Sequence, residues 1–193
     1  MNIIFATEIW GKTPYVDGMT SFFEDITSSI TVVDPYDGTD PAFASEEDAY
    51  ARYVAECGHD NYAQKVIEAV QQTTEPTCLI GFSAGAGAVW SAACADNVGA
   101  VVGAICFYGS PIRNMMNYMP KVPVDLVFSD NEKSFEVEPV ARSLQDLPLA
   151  QCYITPFAHG FMNPLSANFH KDACQFWLQW IKDQIAPQGA AQS

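Results

Sequence analysis

A serine framed by two glycines, Gly81-Phe82-Ser83-Ala84-Gly85, is the stretch with the most chemical content. The apolar run Cys78-Leu79-Ile80 precedes it and a small-residue segment follows, so the spacing predicts a strand, a tight turn and a helix. Such a turn lifts a hydroxyl clear of a sheet and leaves the free N–H groups of the helix start facing any oxyanion formed beside it. A serine hydroxyl is a poor nucleophile at neutral pH. It needs an imidazole within hydrogen-bond reach, itself oriented by a carboxylate. Three histidines are available. His159, in Thr155-Pro156-Phe157-Ala158-His159-Gly160-Phe161-Met162, follows a strand-like run and so falls where chemistry gathers in an open α/β sheet, at the carboxyl ends of the strands. His59 sits at a junction between two helical patterns and reads as a cap or surface residue, while His170 rides on the closing helix. The acid should end the strand before that of His159. The loop there, Ser129-Asp130-Asn131-Glu132-Lys133-Ser134-Phe135, offers both Asp130 and Glu132, and either equally suits a helix cap. No histidine or cysteine shows metal-ligand spacing, and Gly85-Ala86-Gly87 lacks the lysine of a phosphate loop, so neither a metal nor another cofactor is expected.

The elements that must position these groups follow from the hydropathy pattern. Residues 2–7 read as a buried strand and 8–14 as the loop after it, with Thr13-Pro14 starting a helix whose apolar face carries Val16, Met19, Phe22, Phe23 and Ile26. Residues 30–33 form a second strand running into the turn Asp34-Pro35-Tyr36-Asp37-Gly38. Ser45-Glu46-Glu47-Asp48 resembles a capping box for a helix striped with Ala49, Tyr50, Tyr53 and Val54 and ending near Gly58. A helix from about Asp60, bearing Ala63, Val66, Ile67 and Val70, leads to the strand before Ser83. Strands follow at 101–108 and 122–128, then a helix with Val137, Val140, Ala141 and Leu144, a last strand near 152–155, and a closing helix marked by Phe169, Ala173, Phe176, Trp177, Trp180 and Ile181. Six strands separated mostly by helices, several of them uniformly apolar, specify an α/β protein: a doubly wound, mostly parallel six-stranded sheet with helices on both faces. Residues 1–185 read as one domain and 186–193 as a frayed tail.

Composition narrows the function classes. A chain of 193 residues that is 49% hydrophobic can bury a sizeable core. A net charge of −14, with nine scattered basic residues, argues against nucleic acid and anionic membrane surfaces as partners. The apolar runs are shorter than a membrane span and the first residues lack the basic start of a signal peptide, so a soluble cytoplasmic protein is expected. Of six cysteines, three lie in apolar strand-like runs and none forms a C-x-x-C pair, which favours reduced thiols. Nothing in the sequence bears on oligomeric state.

With these residues placed, the chain resembles the dienelactone hydrolase family of the α/β-hydrolase superfamily over most of its length. The likeness is carried by Glu8-Ile9-Trp10-Gly11-Lys12-Thr13-Pro14, Asp34-Pro35-Tyr36, Gly81-Phe82-Ser83-Ala84-Gly85 and His159-Gly160-Phe161-Met162, and by the chain order serine, acid, histidine. It implies a reduced α/β-hydrolase fold in which the chain begins where the family has its third strand. It implies a triad of Ser83, Glu132 and His159 with Asp130 as the alternative acid, an oxyanion hole from the backbone N–H groups of Ile9 and Ala84, and Glu8 beside the nucleophile. Trp10 and Phe161, with Met115, Met116, Tyr118 and Met119, are candidates for a substrate wall; the methionines equally suit gap-filling under a loop. The family's founding enzymes use cysteine where this chain has Ser83, and their substrate-gripping arginines have no match in Gly160-Phe161-Met162-Asn163-Pro164. An anionic substrate would forgo charge-assisted hydrogen bonds worth about 1.5–3 kcal/mol each. The expected activity is therefore hydrolysis of a small neutral ester or lactone through an acyl-enzyme. The alternatives are a thioesterase or peptidase on the same triad, or a binding protein that retains the fold.

Overall fold

Alternation along the strands sorts the apolar residues of this protein into two layers. In a computed structural model that describes residues 1–186, Ile4, Ala6 and Leu79 point into one buried cluster, while Ile3, Phe5, Cys78, Ile80 and Phe82 point into another on the opposite face. Both faces are covered, which is why the inner strands are largely apolar. The six strands are β1 (Asn2–Ala6), β2 (Ser29–Val33), β3 (Thr77–Phe82), β4 (Val101–Phe107), β5 (Val124–Asn131) and β6 (Ala150–Ala158). Every pairing is parallel, in the order β2-β1-β3-β4-β5-β6. β3 lies inside the sheet and is buried at every residue.

Helices α2 (Glu46–Glu56), α3 (Gly58–Gln71), α4 (Ala84–Ala93) and α5 (Val137–Gln145) cover the first face, and α1 (Pro14–Ser21) and α6 (Lys171–Ile185) the second. α4 carries nine buried residues, including Trp90 at 0% exposure, so the helix that follows Ser83 is anchored in the core. This is the doubly wound α/β sheet expected, parallel throughout. Of the tail expected at 186–193, all but Ala186 lies outside the described residues. No helix among the described residues is long and apolar enough to cross a membrane, and the six cysteines are free.

Several boundaries differ from the hydropathy reading. α1 stops at Ser21: the N–H groups of Phe22 and Phe23 bond three residues back, to Met19 and Thr20, and this tighter turn buries Phe23 while leaving Phe22 exposed. In α2 the buried stripe is Ala49 and Tyr53, continued by Cys57 just beyond its end, and Tyr50 and Val54 face outward. His170 is not within α6 but caps it, its Nδ1 accepting from the Ala173 N–H. β5 runs on through Ser129-Asp130-Asn131 because β6 continues alongside it to Ala158. The register shifts between Ser129 and Asn131, opposite Pro156, which has no N–H to pair.

Candidate active site

The turn at Ser83 is built by close approach. Ser83 has φ 53° and ψ −114°, a region that side-chain-bearing residues rarely occupy. Its N–H donates to the Phe107 carbonyl of the neighbouring strand, and its own carbonyl accepts from Gly87. A β-carbon at Gly81 would lie 2.5 Å from the Gly85 carbonyl oxygen, and one at Gly85 would overlap the carbonyl oxygens of Ala6 and Thr7. Both glycines are therefore demanded by contact between α4 and strands β1 and β3.

The carboxyl ends of β3, β5 and β6 then deliver three side chains to one place. Ser83 Oγ is 2.9 Å from His159 Nε2. On the other side of the ring, His159 Nδ1 is 2.9 Å from Glu132 Oε1 and 3.2 Å from Oε2. The Glu132 side chain is 5% exposed and that of His159 29%. The Ser110 hydroxyl, in a 3-10 turn (Ser110–Asn114) after β4, donates to Glu132 Oε2 at 2.8 Å and lies 3.3 Å from His159 Nδ1. The His159 carbonyl accepts from Asn168 Nδ2 at 2.9 Å, and the Tyr108 ring packs 5.1 Å from the imidazole. Burial opposes charge on His159, but the hydrogen bond and negative charge of Glu132, with more distant Glu8 and Glu46, outweigh it and raise the pKa above the ordinary histidine value. Asp130, near the end of β5, is exposed, and the carboxylate at the imidazole is that of Glu132.

Ser83 opens onto a cleft of about 430 Å³ whose lining includes Ile9, Ala84, Glu132 and His159. Among the described residues the N–H groups of Ile9 and Ala84 have no hydrogen-bond acceptor, so two donors are available beside the serine. Arg113 and Lys133 also line the cleft, so cations stand there although the family's substrate-gripping arginines have no match after His159, and Glu46 shares the lining with them. Arg113 is further committed to the wall: Nη1 donates to the Ser110 carbonyl and the guanidinium lies 5.1 Å over the Phe135 ring.

Other anticipated contacts are not made. Phe161 is 0% exposed and packs on Tyr108 and Phe157 in the second core layer, leaving no surface for a substrate. Trp10 sits edge-on to Phe43 and, with Glu8, borders a separate void of about 20 Å³. Glu8 turns away from the cleft, accepting from Tyr108 Oη at 2.6 Å and Asn163 Nδ2 at 2.5 Å. Burial pushes its carboxyl up despite these two donors. Met115 and Met116 pack on the first core layer, and Tyr118 and Met119 are exposed outside the cleft. Ser110, Tyr108, Asn163 and Arg113 carry no motif of their own; only Tyr108 and Ser110 could have been suspected, from their place at the end of a central strand. Among the described residues no group of three histidine, cysteine or acidic side chains is placed to hold a metal.

No family model matches the sequence. The uncharacterized protein YczH of Bacillus subtilis (strain 168) is 27% identical over 181 residues, spanning 88% of this chain and 84% of its own. Similar solved structures include the dienelactone hydrolase-like promiscuous phosphotriesterase P91 from metagenomic libraries, with a TM-score of 0.68 at 12% identity over 95% of this chain and 84% of that one. Mouse alpha/beta hydrolase domain-containing protein 10 gives 0.65 at 14% identity, over 95% and 89%. A lipase-esterase related protein from Clostridium acetobutylicum ATCC 824 gives 0.63 at 12%, over 94% and 93%. These likenesses show that the chain has the α/β-hydrolase fold, in line with the resemblance carried by its motifs.

Proposed function

We propose that this α/β-hydrolase-fold protein is a serine hydrolase that cleaves a small neutral carboxylic ester or lactone through an acyl-enzyme. The observation that carries the reading is the unbroken chain from Ser83 Oγ through the imidazole to Glu132, with both links at 2.9 Å. In this mechanism Ser83 attacks the carbonyl carbon as its proton passes to His159 Nε2, and the tetrahedral oxyanion is held by the amides of Ile9 and Ala84. His159 returns the proton to the leaving oxygen, the alcohol departs, and the same imidazole then takes a proton from water as it attacks the acyl carbon. The second tetrahedral intermediate collapses as the Ser83 Oγ–acyl bond breaks and the imidazolium returns its proton to Oγ, releasing the carboxylic acid. Glu132 accepts the hydrogen bond of the Nδ1–H throughout, fixing the tautomer and stabilising the imidazolium. An uncharged substrate is supported by the charges left free in the cleft: Arg113 is committed to the Ser110 carbonyl and the Phe135 ring, Glu132 to His159 and Ser110, and Glu46 offsets Lys133.

The test is a matched panel of oxygen esters, lactones, thioesters and anilides, run on the wild type beside Ser83→Ala. The reading requires turnover of an ester or lactone that falls by at least about 10³-fold in the variant. Turnover confined to thioesters or anilides would overturn the substrate class, and equal turnover by both proteins would overturn the nucleophile.

A further inference from the structure

A second concavity, of about 420 Å³, adjoins the serine cleft. One wall is α3, through Ala63 and Ile67; another is the end of α4, through Cys94 and Ala95; and the chain after the 3-10 turn closes it with Met115 and Tyr118. His59 and Pro111 line both concavities, so they form the divide. That divide is held in place. The Tyr53 hydroxyl is 2.9 Å from His59 Nδ1, and a β-carbon at Gly87 would come within 2.9 Å of Pro111, so the proline lies directly on α4. Met115 is fixed in turn, its carbonyl accepting from Trp90 Nε1 and its sulfur from Ser91 Oγ.

The two compartments differ in charge. Arg113, Lys133, Glu46 and Glu132 belong to the serine side; the groove has Asp60 as its one carboxylate, with Gln64 and Ser91 as neutral polar side chains among Ala63, Ile67, Cys94, Ala95, Pro111 and Met115. Burial pushes the Cys94 thiol up to about 12, so that wall stays neutral. They differ in position too. The leaving oxygen must meet His159, which comes from β6 and lines the serine cleft but not the groove, whose walls come from α3, α4 and the chain after β4.

From this geometry we propose that the α3–α4 groove is the acyl subsite, taking an uncharged, unbranched alkyl arm that crosses the His59–Pro111 divide from a carbonyl seated at Ser83. The proposal rests on the serine-hydrolase reading for its orientation, and it excludes a terminal carboxylate, which Asp60 would repel.

Calorimetric titration of Ser83→Ala tests it without requiring turnover. The probes are methyl butanoate and methyl octanoate, with butyl acetate and octyl acetate as the alcohol-side series. A fully buried methylene strengthens binding by about fourfold; in a groove open on one side, methyl octanoate should bind at least about tenfold tighter than methyl butanoate. The acetate series should gain less than about threefold. Adding Ala63→Trp, or independently Ala95→Trp, should collapse the octanoate-to-butanoate ratio toward one while the melting transition stays cooperative. Both residues are only half-buried, so one variant at least is expected to fold. A ratio near one in Ser83→Ala, a gain confined to the alcohol series, or a ratio untouched by both tryptophans would overturn the proposal. Failure of the wild type to hydrolyse any ester would instead count against the catalytic reading, since the binding ratio does not depend on turnover.

Discussion

Glu132 and Glu8 are both carboxylates shielded from solvent near the same imidazole, and the fold treats them in opposite ways. Glu132 accepts from a hydroxyl, Ser110, and from an ionisable partner, His159 Nδ1. Glu8 accepts from two neutral groups, the Tyr108 phenol and the Asn163 amide. A negative charge at Glu132 is answered by a proton that His159 can gain, and the pair raises the imidazole pKa. A negative charge at Glu8 has only dipoles in contact, and burial wins, raising its carboxyl pKa instead. Partner chemistry, more than burial, separates a carboxylate able to tune an imidazole from one that braces a wall.

Breaking the first carboxylate should have the largest effect. Glu132→Gln leaves the imidazole free to adopt the wrong tautomer and should lower kcat by about 10³- to 10⁴-fold in steady-state ester assays. It should also move the acid limb of the kcat/KM profile to lower pH. The neutral imidazole is the working form, so in the wild type activity falls as pH drops through the His159 pKa, and that limb should lie above the ordinary value of about 6.5. Ser110→Ala removes one donor from Glu132 and should cost about tenfold in kcat, with a smaller displacement of the limb.

Glu8→Gln sharpens the contrast. Its rate should fall by less than about tenfold, and its signature should be in stability. A carboxyl whose pKa is raised on folding binds its proton more tightly in the native state, so its contribution to stability diminishes as pH rises from the unfolded value of about 4.5 through the folded one. The melting temperature of Glu8→Gln relative to wild type should therefore increase between pH 4 and pH 8. If Glu8→Gln instead slows turnover as much as Glu132→Gln, the division between the two carboxylates is wrong. Asp130→Asn, at an exposed position, should change kcat/KM by less than about twofold.

Which parts of this arrangement were legible in the chain follows from how local their causes are. Ser83 was legible because the glycines that its turn demands stand within two residues of it, and the parallel sheet was legible because both-face burial makes its inner strands largely apolar. The choice between Asp130 and Glu132 was not available from the residues themselves: polar Ser129-Asp130-Asn131 reads as loop, yet pairing with β6 extends β5 through it. That extension, with its register shift, leaves Asp130 in solvent and Glu132 on the imidazole. Phe161 follows His159 by two residues, a spacing that suggests a substrate contact, but the chain turns at Gly160, with φ 81°, and drives the ring into the core. Ser110, Asn163 and Arg113 owe their positions to contacts with residues 22, 155 and 22 positions away, which no local pattern records.

The measurement that bears most directly on the account is active-site labelling of the folded protein with a fluorophosphonate, read by intact mass and peptide mapping. The account predicts one adduct per chain, on the peptide containing Ser83, absent in Ser83→Ala and formed at least about a hundredfold more slowly in His159→Ala. A folded wild-type protein that takes up no label, or one labelled equally well without the Ser83 hydroxyl, would contradict it.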